Sequence, residues 1–225
     1  MAMTDRGNLF RLMSRSGLSL FLFAVLGVGV VTFFHVLTAD RIEKNEREYM
    51  LRTLNELIPA SAYDNDFFTD TIDVIDEELL GIDQGVTVYR ARRQGQPVGL
   101  IISPQAPNGY NGVIRLLVGI YADGTLAGVR VVAHRETPGL GDGIDQRRSD
   151  WVEQFPGLSL ASAPAADWQV KKDGGRFDQL TGATISPRVV VQAVHKAMSY
   201  FDQHSERLFA ATTGESYRFG MQNPP

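Results

Sequence analysis

Cysteine is absent from all 225 residues. Its absence excludes a disulfide framework, a thiolate-ligated iron–sulfur cluster and a cysteine nucleophile, so any redox chemistry has to come from a separate cofactor. Histidine is scarce, with four in the chain. His195, on a helix-like stretch, has Ser199 rather than a ligand four residues on, which removes the usual helical metal pair. Excess positive charge is missing as well. Residues 40–225 hold nineteen Lys and Arg against twenty-five Asp and Glu, a balance that argues against nucleic acid or anionic lipid as the partner of this part. Gly139-Leu140-Gly141-Asp142-Gly143 has G-x-G spacing, but the helix and acidic strand of a dinucleotide site do not follow it.

The most local absence is of charge. Ser16 to Ala39, SGLSLFLFAVLGVGVVTFFHVLTA, contains no Lys, Arg, Asp or Glu. Roughly 20 apolar residues are enough to cross a bilayer. A cleaved secretory signal competes with this reading, since Arg6, Arg11 and Arg15 form a basic front. A signal core is shorter, however, and ends in small residues, whereas Phe33, Phe34, His35, Val36 and Leu37 crowd the end of this one. The expectation is an uncleaved anchor over 16–39, residues 1–15 cytoplasmic, and the following part outside the bacterial inner membrane, in the periplasm. The basic counts on the two flanks are similar, and a long following domain translocates largely regardless of its own charges.

Beyond the anchor, Ile42, Tyr49, Met50, Leu54 and Leu57 form a stripe at helical spacing, and Pro59 ends the run. This predicts a helical stalk over 40–60 and an outer domain over 61–225. In that domain Val86 and Val88, then Val98, Leu100 and Ile102, alternate around Gln94-Gly95-Gln96-Pro97. Ile114, Leu116, Val118 and Ile120 lead through Asp123-Gly124 to Val129 and Val131, the pattern of a hairpin. Ser103 to Gly112 is rich in Pro, Gly and Asn and reads as loop. Trp151 to Phe155 fits one or two helical turns, and Pro156 to Asp167 a surface connection. Ser186 suits an N-cap and Pro187 a first helical position. Val190, Val194, Ala197, Met198 and Phe201 then share one face of a terminal helix. The class is α+β: one N-terminal transmembrane helix, then an antiparallel sheet with flanking helices.

The stretch before that helix, Asp178 to Ser186, carries more hydroxyls than capping needs. A helix N-terminus favours a bound phosphate through free amides and the dipole. Gly182 and Ala183, between Thr181 and Thr184, leave the backbone approachable. The same residues also fit a plain capped turn with local threonine hydrogen bonds. Upstream, His134 ends an apolar strand and suits a half-buried side chain, a ligand neighbour or a proton carrier. Glu136 fits either a ligand contact or a solvated carboxylate paired with Arg135.

Asp178-x-x-Thr181-Gly182-Ala183-Thr184 has the form D-x-x-[S/T]-G-A-[T/S] and resembles the covalent attachment site of the FMN-binding domain family. His134-Arg135-Glu136-Thr137-Pro138-Gly139-Leu140-Gly141 is similar to the H-x-E-T-P-G-L-G loop of that family. The resemblance implies that a flavin transferase takes FMN from FAD and joins its phosphate to Thr184 as a phosphothreonine ester. It implies that Thr181, Gly182 and Ala183 form the approach, and that His134, Glu136, Thr137, Gly139 and Leu140 lie against the flavin. Anchor, compact outer domain and missing cysteine together are similar to the flavin subunits of bacterial Rnf electron-transport complexes. These exchange electrons between ferredoxin and NAD while moving sodium ions or protons. The chain would then be an electron relay rather than a stand-alone catalyst, with the membrane, integral-membrane Rnf subunits and another covalent-flavin subunit as partners. The C subunit of the sodium-translocating NADH:quinone reductase is the alternative within the family. An anchored, non-redox binding module is the alternative outside it.

Overall fold

The computed structural model describes residues 4–218. A single helix, α1 (Thr4–Leu57), carries the apolar segment and continues without a break through the charged stretch that follows. From Ser16 the helix is long and apolar enough to cross a membrane. The chain divides into two compact units, the second beginning at Leu51. Each unit has its own internal organisation.

The second unit is built on a seven-stranded sheet. Its strands are β1 (Thr71–Asp76), β2 (Ile82–Arg93), β3 (Gln96–Ile102), β4 (Gln105–Gly109), β5 (Gly112–Tyr121), β6 (Leu126–Ala133) and β7 (Ser216–Arg218). All pairings are antiparallel except β1 with β7. The β2–β3 connection is tighter than the four-residue turn read from sequence. Gln94 and Gly95 both have positive φ, 52° and 77°, the geometry whose twist matches the flanking strands in a two-residue hairpin. Asp123-Gly124 forms the second expected turn, with Gly124 N–H donating to Tyr121 O at 2.9 Å.

Ser103 to Gly112 is not a loop. Residues 105–109 form β4, which continues along the edge of β5 that β3 occupies farther on: Gln105 pairs with Arg115 and Gly109 with Gly112, while Ile102 pairs with Val118. The composition is poor for a strand, but the ladder with β5 supplies the hydrogen bonds that local propensity does not favour. Pro156 to Asp167 is likewise only partly surface. Leu158 and Ala163 are buried, and Leu158 O accepts from Leu126 N–H at 2.7 Å.

Two elements cover the sheet. On one face lies α3 (Ile185–Ala210), whose buried residues include the expected Val190, Val194, Ala197, Met198 and Phe201. They share a core with the alternating Val88, Leu100, Ile102, Leu116, Val118 and Ile120. The short helix α2 (Glu77–Leu80), N-capped by Asp76, closes the edge of this layer. On the other face the end of α1 packs against glycines. A β-carbon at Gly119 would lie 3.0 Å from Leu57 Cβ, one at Gly128 3.0 Å from Leu57 Cδ2, and one at Gly99 3.1 Å from Ile58 Cδ1. Gly119 and Gly128 are direct cross-strand partners. The missing side chains therefore form a slot for Leu57 and Ile58, which, like Leu54 one turn earlier, are almost fully buried.

The irregular segment between β6 and α3 is held by aromatic packing. Phe155 stacks on Phe177 at 4.7 Å, Phe177 meets Trp168 at 5.6 Å, and Trp168 stacks on His195 of α3 at 5.3 Å. Trp151 to Phe155 resolves into a single 3-10 segment, Asp150–Gln154, N-capped by Ser149. The far end of α3 is fastened by a buried arginine. Arg90, 1% exposed, donates through Nε to Asp70 at 2.8 Å and through Nη1 to the carbonyls of Leu208 (3.1 Å) and Ala211 (2.6 Å). It thereby satisfies acceptors that a helix C-terminus leaves open.

Candidate functional site

The segment before α3 is positioned by its backbone. Trp151 Nε1 donates to Asp178 O at 2.6 Å, and Asp178 N–H donates to Gln154 Oε1 at 2.8 Å. Ala183 N–H then closes a turn onto Leu180 O at 3.1 Å. Gly182 supplies the positive φ, 77°, that this turn requires. Its missing Cβ also leaves room for Leu140, whose Cδ2 would lie 2.9 Å from one.

The helix begins two residues earlier than the capping pattern predicts. Thr184 occupies the N-cap position, its side chain makes no capping bond, and Ile185 is the first helical residue. Ser186 is therefore no cap. It lies within the first turn, is 1% exposed, and donates its hydroxyl to the Glu136 carboxylate. Pro187 still falls where a helix has no use for an amide hydrogen. The Thr184 hydroxyl is thus left unused by the helix beside it.

Glu136 is 4% exposed, which rules out a solvated carboxylate paired with Arg135. Its Oε1 accepts from Asn111 N–H at 3.1 Å and its Oε2 from Ser186. One carboxylate thus ties together the tip of the β4–β5 hairpin, the loop after β6 and the start of α3. Glycine makes this crowding feasible. A β-carbon at Gly141 would sit 2.7 Å from Ser186 Oγ and 2.8 Å from Glu136 Oε2, and one at Gly109 3.0 Å from Glu136 Oε1. Asn111 adds a second tie, with Nδ2 donating to Thr137 Oγ1 at 3.1 Å.

Behind Glu136, His134 Nδ1 accepts the Glu136 N–H at 3.1 Å, and its Nε2 lies 3.7 Å from Asp145 Oδ2. Burial pushes the Asp145 carboxyl up. Hydrogen bonds from the Arg147 side chain and amide, with the Arg147 charge, outweigh this and hold it below the ordinary carboxylate range.

These segments enclose a cleft of about 340 Å³, within the usual range for small-molecule sites, about 300–1,000 Å³. The hairpin contributes Tyr110; the loop Glu136, Thr137, Leu140 and Gly141; the turn and helix start Gly182 to Ser186. The lining combines small residues, a hydroxyl at a helix N-terminus, and exposed apolar side chains.

The G subunit of the ion-translocating oxidoreductase complex of Pseudomonas aeruginosa is 50% identical over 200 residues, 89% of this chain and 94% of that one. Its Vibrio cholerae counterpart is 46% identical over 194 residues (86% and 92%), and that of Shewanella baltica 45% over 198 (88% and 93%). The chain belongs to the G-subunit family of Rnf complexes. The two recognised regions of this Rnf G-family chain fit the architecture. The RnfG N-terminal region matches residues 3–57, which contain α1, and the FMN-binding domain matches residues 109–199, which contain the whole cleft. Among solved structures, Shewanella oneidensis NqrC aligns with a TM-score of 0.44 and 22% identity over 68% of this chain and 74% of that one.

The cleft of this Rnf G-family chain suits FMN by its own chemistry. Its lining holds the first residues of a helix and a hydroxyl, which favour a phosphate, and apolar side chains that suit a ring. Of the residues expected from sequence, Glu136, Thr137, Leu140, Gly182, Ala183 and Thr184 line the cleft, while Thr181, Gly139 and His134 are not in its lining. His134 instead faces a neighbouring hollow with Asp142, Asp145 and Arg147. Gly141, in the loop expected to approach the flavin closely, also lines the cleft. Tyr110, Ile185 and Ser186 were not anticipated, Tyr110 because it falls in the Gly- and Asn-rich stretch read as loop.

Proposed function

We propose that this chain carries FMN covalently on Thr184 and relays single electrons within an Rnf complex that exchanges them between ferredoxin and NAD, coupled to ion movement. The observation that carries the proposal is the Thr184 hydroxyl: it lies in the lining of the cleft, at the mouth of a helix, with no capping bond of its own. Attachment forms a bond from Thr184 Oγ to the FMN phosphorus of FAD and breaks the pyrophosphate bond, with AMP leaving. A threonine hydroxyl needs a base for this step, and the flavin transferase supplies it and takes the proton.

FMN supplies the one-electron chemistry that no side chain here provides. The chain's residues hold and orient it. The helix-start amides of Ile185 and Ser186 and the dipole behind them favour the remaining phosphate charge, and Pro187 adds no amide. Leu140 and Ile185 present apolar surface that excludes water. Glu136 has both oxygens engaged by the protein, so its part is to hold the three walls together. With residues 1–15 cytoplasmic, the domain lies in the periplasm, among integral-membrane Rnf subunits and a second covalent-flavin subunit. The match to G subunits at about half identity favours Rnf over the quinone-reductase C subunit.

The test is attachment. Full-length protein coexpressed with flavin transferase should fluoresce in a denaturing gel and gain the mass of one FMN less one water. Thr184→Val should lose both signals. An unmodified wild-type mass under those conditions would overturn the proposal.

A further inference from the structure

From Leu51 onward, the exposed large hydrophobic side chains among the described residues are Tyr110 (65%), Val113 (44%), Leu140 (46%) and Ile185 (41%). Three of the four line the same cleft, and they arrive from separate segments: the hairpin tip, the loop after β6 and the first residue of α3. Val113 follows the same tip in β5. Exposed apolar surface gathered in this way marks a binding site rather than scattered surface residues.

Tyr110 is the one aromatic in the lining, and its backbone is held in place. Its neighbour Asn111 is bonded to Glu136 Oε1 and Thr137 Oγ1. Gly109 and Gly112 pair across the tip, with Gly112 at φ 119° and Gly109 packed against Glu136. The fold thus fixes the backbone around a large aromatic ring that it leaves in solvent. Ordinarily a tyrosine ring gains most by being buried.

Resting on the reading that FMN is attached at Thr184, we infer that Tyr110 is the aromatic contact for the isoalloxazine ring, with Leu140 and Ile185 as its apolar companions. A flat conjugated ring is the part of FMN that needs such partners, since the phosphate is served by the helix start. A phenol in contact with a flavin has an optical signature. The photoexcited flavin takes an electron from the phenol and returns it, leaving both unchanged and the flavin dark. A phenyl ring keeps the contact but is too hard to oxidise, and leucine keeps only apolar bulk.

The experiment compares full-length, transferase-modified wild type, Tyr110→Phe and Tyr110→Leu, reading flavin emission before and after denaturation and the visible circular dichroism of the native protein. Denatured emission counts attached flavin in each. Native emission per attached flavin should rise severalfold in both variants, while the visible dichroism should stay as in wild type for Tyr110→Phe and change for Tyr110→Leu. Equal native emission per flavin in all three proteins would overturn the role of Tyr110 and leave the attachment standing. Absence of emission from denatured wild type would overturn the attachment itself, and this inference with it. Because Tyr110 is mostly exposed at a hairpin tip, both variants should fold, and their far-ultraviolet spectra check this.

Discussion

Ser186→Ala separates two accounts of one hydroxyl. Were Ser186 a helix cap, its removal would cost about 1 kcal/mol and act independently of the loop after β6. In the structure it is 1% exposed and donates to Glu136, itself 4% exposed. A buried hydrogen bond to a charged group contributes about 1.5–3 kcal/mol, and losing it leaves Glu136 Oε2 without its donor. The expected cost is therefore about 2 kcal/mol. The assay is urea unfolding of the full chain in detergent, with midpoints compared at unchanged slope. The decisive quantity is the coupling in a cycle of Ser186→Ala, Glu136→Ala and the double variant. With Glu136 gone, Ser186→Ala should lose most of its effect, giving a coupling of about 1.5 kcal/mol. Additivity to within about 0.5 kcal/mol would refute the clamp.

Two further outcomes follow from groups outside the cleft. Arg90→Met removes the donors to Leu208 O, Ala211 O and Asp70 and should destabilise the domain by about 3–5 kcal/mol, as breaking a buried ion pair does; an unchanged urea midpoint would refute the fastening of α3. Asp145 has a folded-state pKa below its ordinary value, so its contribution is fully present above the unfolded value near pH 4 and is lost as pH falls through the folded one. Asp145→Asn should flatten that acid limb of the stability profile, and parallel profiles for the two proteins between about pH 6 and about pH 3 would refute the assignment.

What sequence reasoning captured are features whose cause is local. The charge-free run from Ser16 needs nothing distant to declare a membrane helix, and Gln94-Gly95 and Asp123-Gly124 carry their turn geometry in their own backbones. The stripe from Val190 to Phe201 is set by helical periodicity. The misses have causes elsewhere in the chain. β4 exists because β5 offers it a ladder, against the local preference of Pro107 and Asn108. Ser186 looks like a cap until a carboxylate fifty residues upstream accepts its hydrogen bond. Arg90 sits in a strand like any charged residue and is buried only because the end of α3 brings carbonyls to it. At the site, the turn that brings Gly182, Ala183 and Thr184 to the cleft was legible as a short contiguous pattern. Tyr110 was not, because its role depends on where a hairpin tip comes to rest.

The slot formed by Gly99, Gly119 and Gly128 decides where this protein can be cut. Leu57 and Ile58 fill it, the last residue of the helix that carries the anchor and the residue directly after it. A soluble fragment drawn from the apparent end of that helix, at Pro59, would leave the middle of the sheet open to water on one face, with glycines where a neighbour expects side chains. A well-behaved fragment has to start inside the helix, at or before Leu51, and keep its last two turns as part of the domain.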